Sequence, residues 1–182
     1  PELALADVAF TLALGRKRMT CRRAVVASSI AEAVDRLRAA VGGKSASHPA
    51  HADVLPVVFL FPGQGAQFVG MGQSLYQAEP VFRACVDECA EALRAHLGVD
   101  IRATLFPAPA QRAEAEKRIQ ETWLTQPVIF TLELALARLW MARGVKPAMV
   151  MGHSVGEYVA AVLAGTFSVT DALRLLATRA RM

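Results

Sequence analysis

The chain of 182 residues is 54% hydrophobic, with a mean hydropathy of +0.33, yet has no apolar stretch of the roughly 18 residues that span a membrane; a disordered chain and a membrane span are both excluded. The net charge of +4 sits in residues 1–44, which hold 8 Lys/Arg against 4 Asp/Glu, whereas residues 45–182 hold 12 of each. No aromatic residues interleave Arg16-Lys17-Arg18 or Arg22-Arg23, so a solvated basic face or an acidic protein partner fits better than a nucleic-acid groove.

The start Pro1-Glu2-Leu3 has neither an initiator Met nor the charged and apolar regions of a signal peptide, and the chain reads as a piece of something longer. Leu3, Ala6, Phe10, Ala13 and Leu14 recur at helical spacing up to a capping Gly15. Ala24-Val25-Val26-Ala27 reads as a strand. Ser29 with Glu32 forms a capping box for a helix striped by Ile30, Val34, Leu37 and Val41 and ended by Gly42-Gly43. Residues 1–44 thus make a small α/β module, and residues 45–53, small, polar and Pro-containing, make a flexible linker in which His48 and His51 are solvated.

Residues 54–182 form the second domain. Its first strand, Val57 to Phe61, runs into the glycine-spaced loop Pro62-Gly63-Gln64-Gly65-Ala66-Gln67. No Gly-Lys-Ser/Thr follows and Phe68 stands where a dinucleotide fingerprint needs its third glycine, so phosphate binding is not indicated. Phe82, Cys85, Val86, Cys89, Leu93 and Leu97 line one face of a helix that stops at Gly98, with His96 near its end. A helical pattern from about Glu114 to Leu124 precedes a second helix, with Pro127 in its first turn and Gly144 as its cap. Pro147 to Met151 is apolar throughout, as a strand covered on both faces of a parallel sheet is. A helix follows it, and the last helix opens with a Ser168/Asp171 capping box and carries the stripe Val169, Ala172, Leu173, Leu176 and Ala180. The alternation predicts an α/β fold with parallel strands joined by helical crossovers. The odd count of Cys21, Cys85 and Cys89 lacks metal-ligand spacing, so no metal is expected; buried thiols in a reducing cytoplasm fit.

The chemistry centres on Gly152-His153-Ser154-Val155-Gly156-Glu157, a serine between glycines where a strand turns into a helix. In such an elbow the strained serine projects its hydroxyl above the sheet edge, and the N–H of the next residue, Val155, can meet a developing oxyanion. The Gly63-Gln64-Gly65 turn can supply the second donor, since both loops end a strand. A serine nucleophile needs a base, normally histidine. His48 and His51 are in the linker, His96 ends a helix, and His153, adjacent to Ser154, points to the other side; the base is expected beyond Met182. At about 100° per residue Arg179 falls at the edge of the last helix's stripe and is expected to be partly buried, either as a grip for a substrate carboxylate or as a core-edge ion pair. The residues alone leave a serine esterase or thioesterase, and a non-catalytic docking module, open beside an acyltransferase.

Phe61 to Gln67 with Gly70-Met71-Gly72, then Thr125-Gln126-Pro127, then Gly152 to Glu157 resemble, in order, the three motifs of malonyl-CoA:acyl-carrier-protein transacylases and of the acyltransferase domains of modular polyketide and fatty acid synthases. The resemblance covers residues 54–182, and residues 1–44 resemble the small α/β linker between a ketosynthase and its acyltransferase. It implies an α/β-hydrolase-like acyltransferase core, present in part, with Ser154 as the acyl-accepting nucleophile and the Gln64 and Val155 N–H groups as oxyanion donors. Gln126 and His153 would line the substrate site, and Arg179, 25 residues after the serine, would clamp the extender carboxylate. It also implies that malonyl-CoA is the acyl donor and that phosphopantetheine on an acyl carrier protein is the acceptor, with no cofactor bound directly. The implied partners are the carrier protein, a ketosynthase domain and the remainder of the acyltransferase domain, which carries the histidine; neither nucleic acid nor a membrane is among them. In that family Val155 and Thr125 lean towards malonyl over methylmalonyl.

Overall fold

The computed structural model describes residues 3–17, 19, 22–42 and 55–179. They fall into two compact units, Pro1–Leu55 and Pro56–Met182. The first holds helices α1 (Leu5–Leu14) and α2 (Ile30–Gly42). α1 stops at Gly15, whose N–H donates to the Thr11 carbonyl at 2.8 Å, and its apolar stripe is exposed within this unit. Residues 22–27 form no regular strand, contrary to the expectation for Ala24 to Ala27. A strand is held by its ladder, and no other strand lies in this unit among the described residues. At the start of α2, Ser29 Oγ accepts the Glu32 N–H (3.2 Å) as a capping box requires, but the Glu32 carboxylate turns to Ser28, accepting from its Oγ (2.6 Å) and N–H (2.7 Å). These bonds and the Arg36 charge hold the Glu32 pKa down at about 2. Cys21, Gly43 and the 45–53 linker with His48 and His51 lie outside the described residues.

The second unit is α/β. Strands β1 (Val57–Phe61) and β2 (Pro147–Gly152) pair in parallel, Phe61 opposite Gly152, with a register shift between Val57 and Val58. Between them run α3 (Gln73–Ala78), α4 (Pro80–Leu97), α5 (Ile101–Leu105), α6 (Arg112–Arg118) and α7 (Thr122–Ala142); α8 (Val155–Leu163) and α9 (Val169–Arg179) follow. The expected α4 stripe is buried in full, Cys85 and Cys89 included, and Gly98 ends the helix at φ +72°. α7 is the central helix. From Leu124 to Ala135 every residue is buried, and α4, α8 and α9 pack around it, the pattern of a helix with no solvent face. α9 buries Ala172, Leu173, Leu176 and Ala177, and Ser168 Oγ accepts the Asp171 N–H at 3.0 Å.

The α6–α7 boundary differs from the sequence expectation. Helix α6 ends at Arg118 and α7 begins at Thr122, so Pro127 occupies its second turn. The turn is set by Glu121, whose carbonyl takes the Leu124 and Thr125 N–H groups (both 2.8 Å), and by Thr125 Oγ1, which donates to Ile119 (2.6 Å) and Glu121 (3.0 Å) carbonyls. Pro127 leaves the Trp123 carbonyl without its helical donor, and close packing on all sides offsets that loss.

The strands are covered on one face, not on both as expected. Phe59, Phe61 and Val150 turn towards the core, while Val58, Leu60, Met149 and Met151, on the alternate face, are exposed among the described residues. A cavity of about 650 Å³ runs from β1 to α7, lined by apolar side chains such as Leu75, Leu132 and Trp140 and by one carboxylate, Glu133. Among the described residues neither Glu133 oxygen, both buried, has a hydrogen-bond partner, and burial raises its pKa to about 8. In the unfolded chain the carboxyl returns to its ordinary value of 4.5. Between those values the unfolded chain has released a proton that the folded chain still holds, so stability falls as pH rises from about 4.5 to about 8 and levels off above. Glu133→Gln is expected to remove this slope when unfolding midpoints of variant and parent are compared across pH 4–9, a range spanning both values; a slope of the same size in the variant would assign it to other groups.

Candidate active site

Ser154 is the one non-glycine residue with positive φ among the described residues (φ +55°, ψ −114°). It stands two residues past the end of β2, at the N-cap of α8, so the strained conformation lies at the strand-to-helix elbow read from the sequence and costs about 1–3 kcal/mol. The flanking glycines are required by contact. A Cβ on Gly152 would overlap the backbone of Gly156 and Glu157, and one on Gly156 would overlap the Phe61 carbonyl and lie 2.7 Å from that of Pro62.

The same contacts seat α8 against the end of β1. His153 donates its N–H to the Phe61 carbonyl (2.9 Å), which continues the β1–β2 pairing one residue past the strand and brings the 62–67 loop beside Ser154. A Cβ on Gly63 would sit 3.4 Å from Ser154 Cβ and 2.9 Å from His153 Nδ1. In the first turn of α8 the Gly156 and Glu157 N–H groups are taken by the His153 and Ser154 carbonyls (3.0 and 3.2 Å), and Val155, the first helical residue, has no helical acceptor for its own. The Gln64 N–H also donates to no acceptor among the described residues. Gln64 is exposed, and its Nε2 donates to Thr122 Oγ1 at the start of α7 (3.4 Å).

The remaining candidates are distributed around this centre. Gln126 is buried in α7, which packs on α8, and its Oε1 has no hydrogen-bond partner among the described residues. His153 is exposed, its ring against Gly63. Ser154 Oγ has no hydrogen-bond partner among the described residues, so the structure pairs it with no base. Arg179 departs from expectation: burial along α9 stops at Ala177, Arg179 is exposed, and its guanidinium lies over the Tyr158 ring, 5.7 Å from the centroid. Among the described residues no three His, Cys, Asp or Glu side chains gather as metal ligands. Two contributors were not singled out from the sequence, Tyr158 as the platform under Arg179 and Gln67 as a tie within the loop. Tyr158 lies four residues after Ser154, one helical turn on, and that spacing was the available signal.

A strained serine at a strand–helix elbow beside a second glycine loop is the arrangement of an acyl-serine enzyme. The family model described as "acyl transferase domain" matches residues 58–182, and the chain belongs to that family. A second, described as "CurL-like, PKS C-terminal", matches residues 1–37. A phenolphthiocerol/phthiocerol polyketide synthase of Mycobacterium tuberculosis is 41% identical over 189 residues, covering 98% of this chain and 12% of that protein. Among solved structures, the acyl transferase domain of ZmaA superposes with a TM-score of 0.90 at 37% identity, covering 100% of this chain and 42% of that one. The acyl transferase domain of SpnD in complex with 2-(pent-4-yn-1-yl)malonyl superposes at 0.82 with 41% identity, covering 98% of this chain and 41% of that one. The chain therefore spans less than half the length of these domains.

Substituting Gly156→Ala is expected to destabilise the second unit by about 3 kcal/mol, because the new methyl meets the Phe61 and Pro62 backbone, which cannot rotate away. Gly156 has no positive φ and lies in a helix, where Gly→Ala without a clash raises stability by about 1 kcal/mol. Thermal stability unchanged or raised in the variant would contradict the contact.

Proposed function

We propose that the protein containing this chain transfers a malonyl-type extender unit from coenzyme A to Ser154 and on to the phosphopantetheine thiol of an acyl carrier protein, in polyketide or fatty acid assembly. The observation that carries the reading is the strained Ser154 beside the Gly63-Gln64 loop, together with membership of the acyltransferase family. Ser154 Oγ attacks the thioester carbonyl, its proton passes to a base, and the carbonyl oxygen becomes an oxyanion facing the Gln64 and Val155 N–H groups. Collapse expels the coenzyme A thiolate, which takes up a proton, and leaves the malonyl ester. The carrier thiol then repeats the sequence in reverse. The base is a histidine supplied by the longer protein, in keeping with the lack of a partner on Ser154 Oγ.

Arg179 is the clamp for the free carboxylate of the extender. Its support is an exposed guanidinium held over Tyr158, on the helix that Ser154 caps. Gln126 and His153 line the acyl site. Val155 and Thr125 favour malonyl over methylmalonyl. Residues 1–44 join this domain to a ketosynthase, in keeping with the match over residues 1–37. The protein acts in the cytoplasm, with the acyl carrier protein, the adjacent ketosynthase domain and the remainder of the acyltransferase domain as its partners; no described helix is long and apolar enough to cross a membrane.

In the full-length protein, malonyl-CoA is expected to add one malonyl group to the peptide carrying Ser154, read by mass spectrometry, and none in Ser154→Ala. Arg179→Ala is expected to lower malonyl loading by about tenfold to a hundredfold while leaving acetyl loading near its parent rate, the loss of a charge-assisted bond pair. Equal effects on both donors would remove the clamp, and hydrolysis unaffected by added carrier protein would favour a thioesterase.

A further inference from the structure

Gln67 is nine-tenths buried in a loop whose neighbours are exposed, and both ends of its amide are used. Its Oε1 accepts the N–H of Gly65 at 2.8 Å, and its Nε2 donates to Gln120 Oε1 at 2.7 Å, in the turn between α6 and α7. Gly65 has φ +137°, a conformation that glycine reaches freely and L side chains rarely adopt, so backbone sterics leave the orientation of the peptide between Gln64 and Gly65 to the hydrogen bonds that hold it. The Gln64 side chain reaches the same region, to Thr122 Oγ1. The 62–67 loop is therefore tied at two points to the segment that begins α7, and the side-chain carbonyl of Gln67 occupies the Gly65 N–H while the Gln64 N–H stays open.

We infer that Gln67 is a positioning residue for acyl transfer: by taking the Gly65 N–H and anchoring to Gln120 it fixes the Gln64–Gly65 peptide and leaves the Gln64 N–H as the loop's donor to the oxyanion. This rests on the acyl-serine reading of Ser154. The effect belongs to the transition state, because the carbonyl oxygen acquires its charge only there, so Gln67 governs the loading rate and not the affinity for the donor. Gln120 acts one bond further out and matters less.

The test uses single-turnover loading from malonyl-CoA in the full-length protein, with saturation measured separately and folding checked by circular dichroism and unfolding midpoint. Gln67→Ala is expected to lower the maximal loading rate by about tenfold to a hundredfold, less than outright loss of a donor, with half-saturation within about twofold of the parent. Gln67→Glu keeps an acceptor for the Gly65 N–H, and the Gln120 amide can turn its Nε2 to the new carboxylate, so this variant is expected to retain most of the rate. Gln120→Ala, which leaves the Gly65 bond in place, is expected to lie between them and keeps the inference testable if Gln67→Ala does not fold. A folded Gln67→Ala that loads at the parent rate, a change confined to half-saturation or stability, or equal losses in Gln67→Ala and Gln67→Glu would each overturn the inference. Loading that survives Ser154→Ala would instead overturn the acyl-serine reading, whatever Gln67 does.

Discussion

The contact on which the rest of this fold depends is between Gly156, in the first turn of α8, and the carbonyls of Phe61 and Pro62 at the end of β1. Because no side chain intervenes, helix and strand approach to backbone contact, and the loop after β1 is delivered to the start of α8. The parallel pairing of β1 with β2 fixes the direction of that delivery, since parallel strands end on the same side. The His153 N–H on the Phe61 carbonyl locks the last step of the register. Serine, open helix N–H and glycine loop are thus consequences of a single close packing, and each is displaced if the glycine is lost.

That packing also explains how Ser154 stays strained. A conformation costing about 1–3 kcal/mol persists only where surrounding structure determines it, and here it is bounded by a strand and a helix whose first residues, Val155 and Gly156, are buried. Behind them α7 forms the central support of the unit, buried all round from Leu124 to Ala135. Its beginning is tied to the 62–67 loop by Gln64 and through the preceding turn by Gln67, so the core that stabilises the fold also sets the loop facing the serine. The buried, unpartnered Glu133 on the same helix runs against stability at high pH, the cost of a carboxyl held in an apolar cavity.

The elbow, both strands, the α4 stripe and the Gly98 and Gly144 helix ends were legible because each rests on local chemistry: glycines at a forced turn, apolar period, capping by residues nearby. The start of α7 was not. Pro127 is a sound first-turn residue by its own geometry, but the Glu121 carbonyl and the Thr125 hydroxyl organise the turn earlier, and a chain pattern does not reveal which carbonyl a hydroxyl will find. Nor was the exposure of Arg179 legible, since periodicity gives the direction of a side chain and not whether another element covers it. The apolar run of β2 suggests cover on both faces where the described residues cover one, and the apolar run at 24–27 finds no partner strand among them; an apolar run gives strand propensity and not the neighbours that complete a sheet.

The proposed oxyanion hole requires two loops, brought together by backbone contact, to present the Gln64 and Val155 N–H groups to one oxygen. It is tested most directly by the crystal structure of the full-length protein with Ser154 phosphonylated, in which a phosphonyl oxygen takes the position of the developing oxyanion. That oxygen is expected at about 3 Å from both nitrogens. An adduct oxygen directed to solvent, or bonded to one of the two alone, would contradict it.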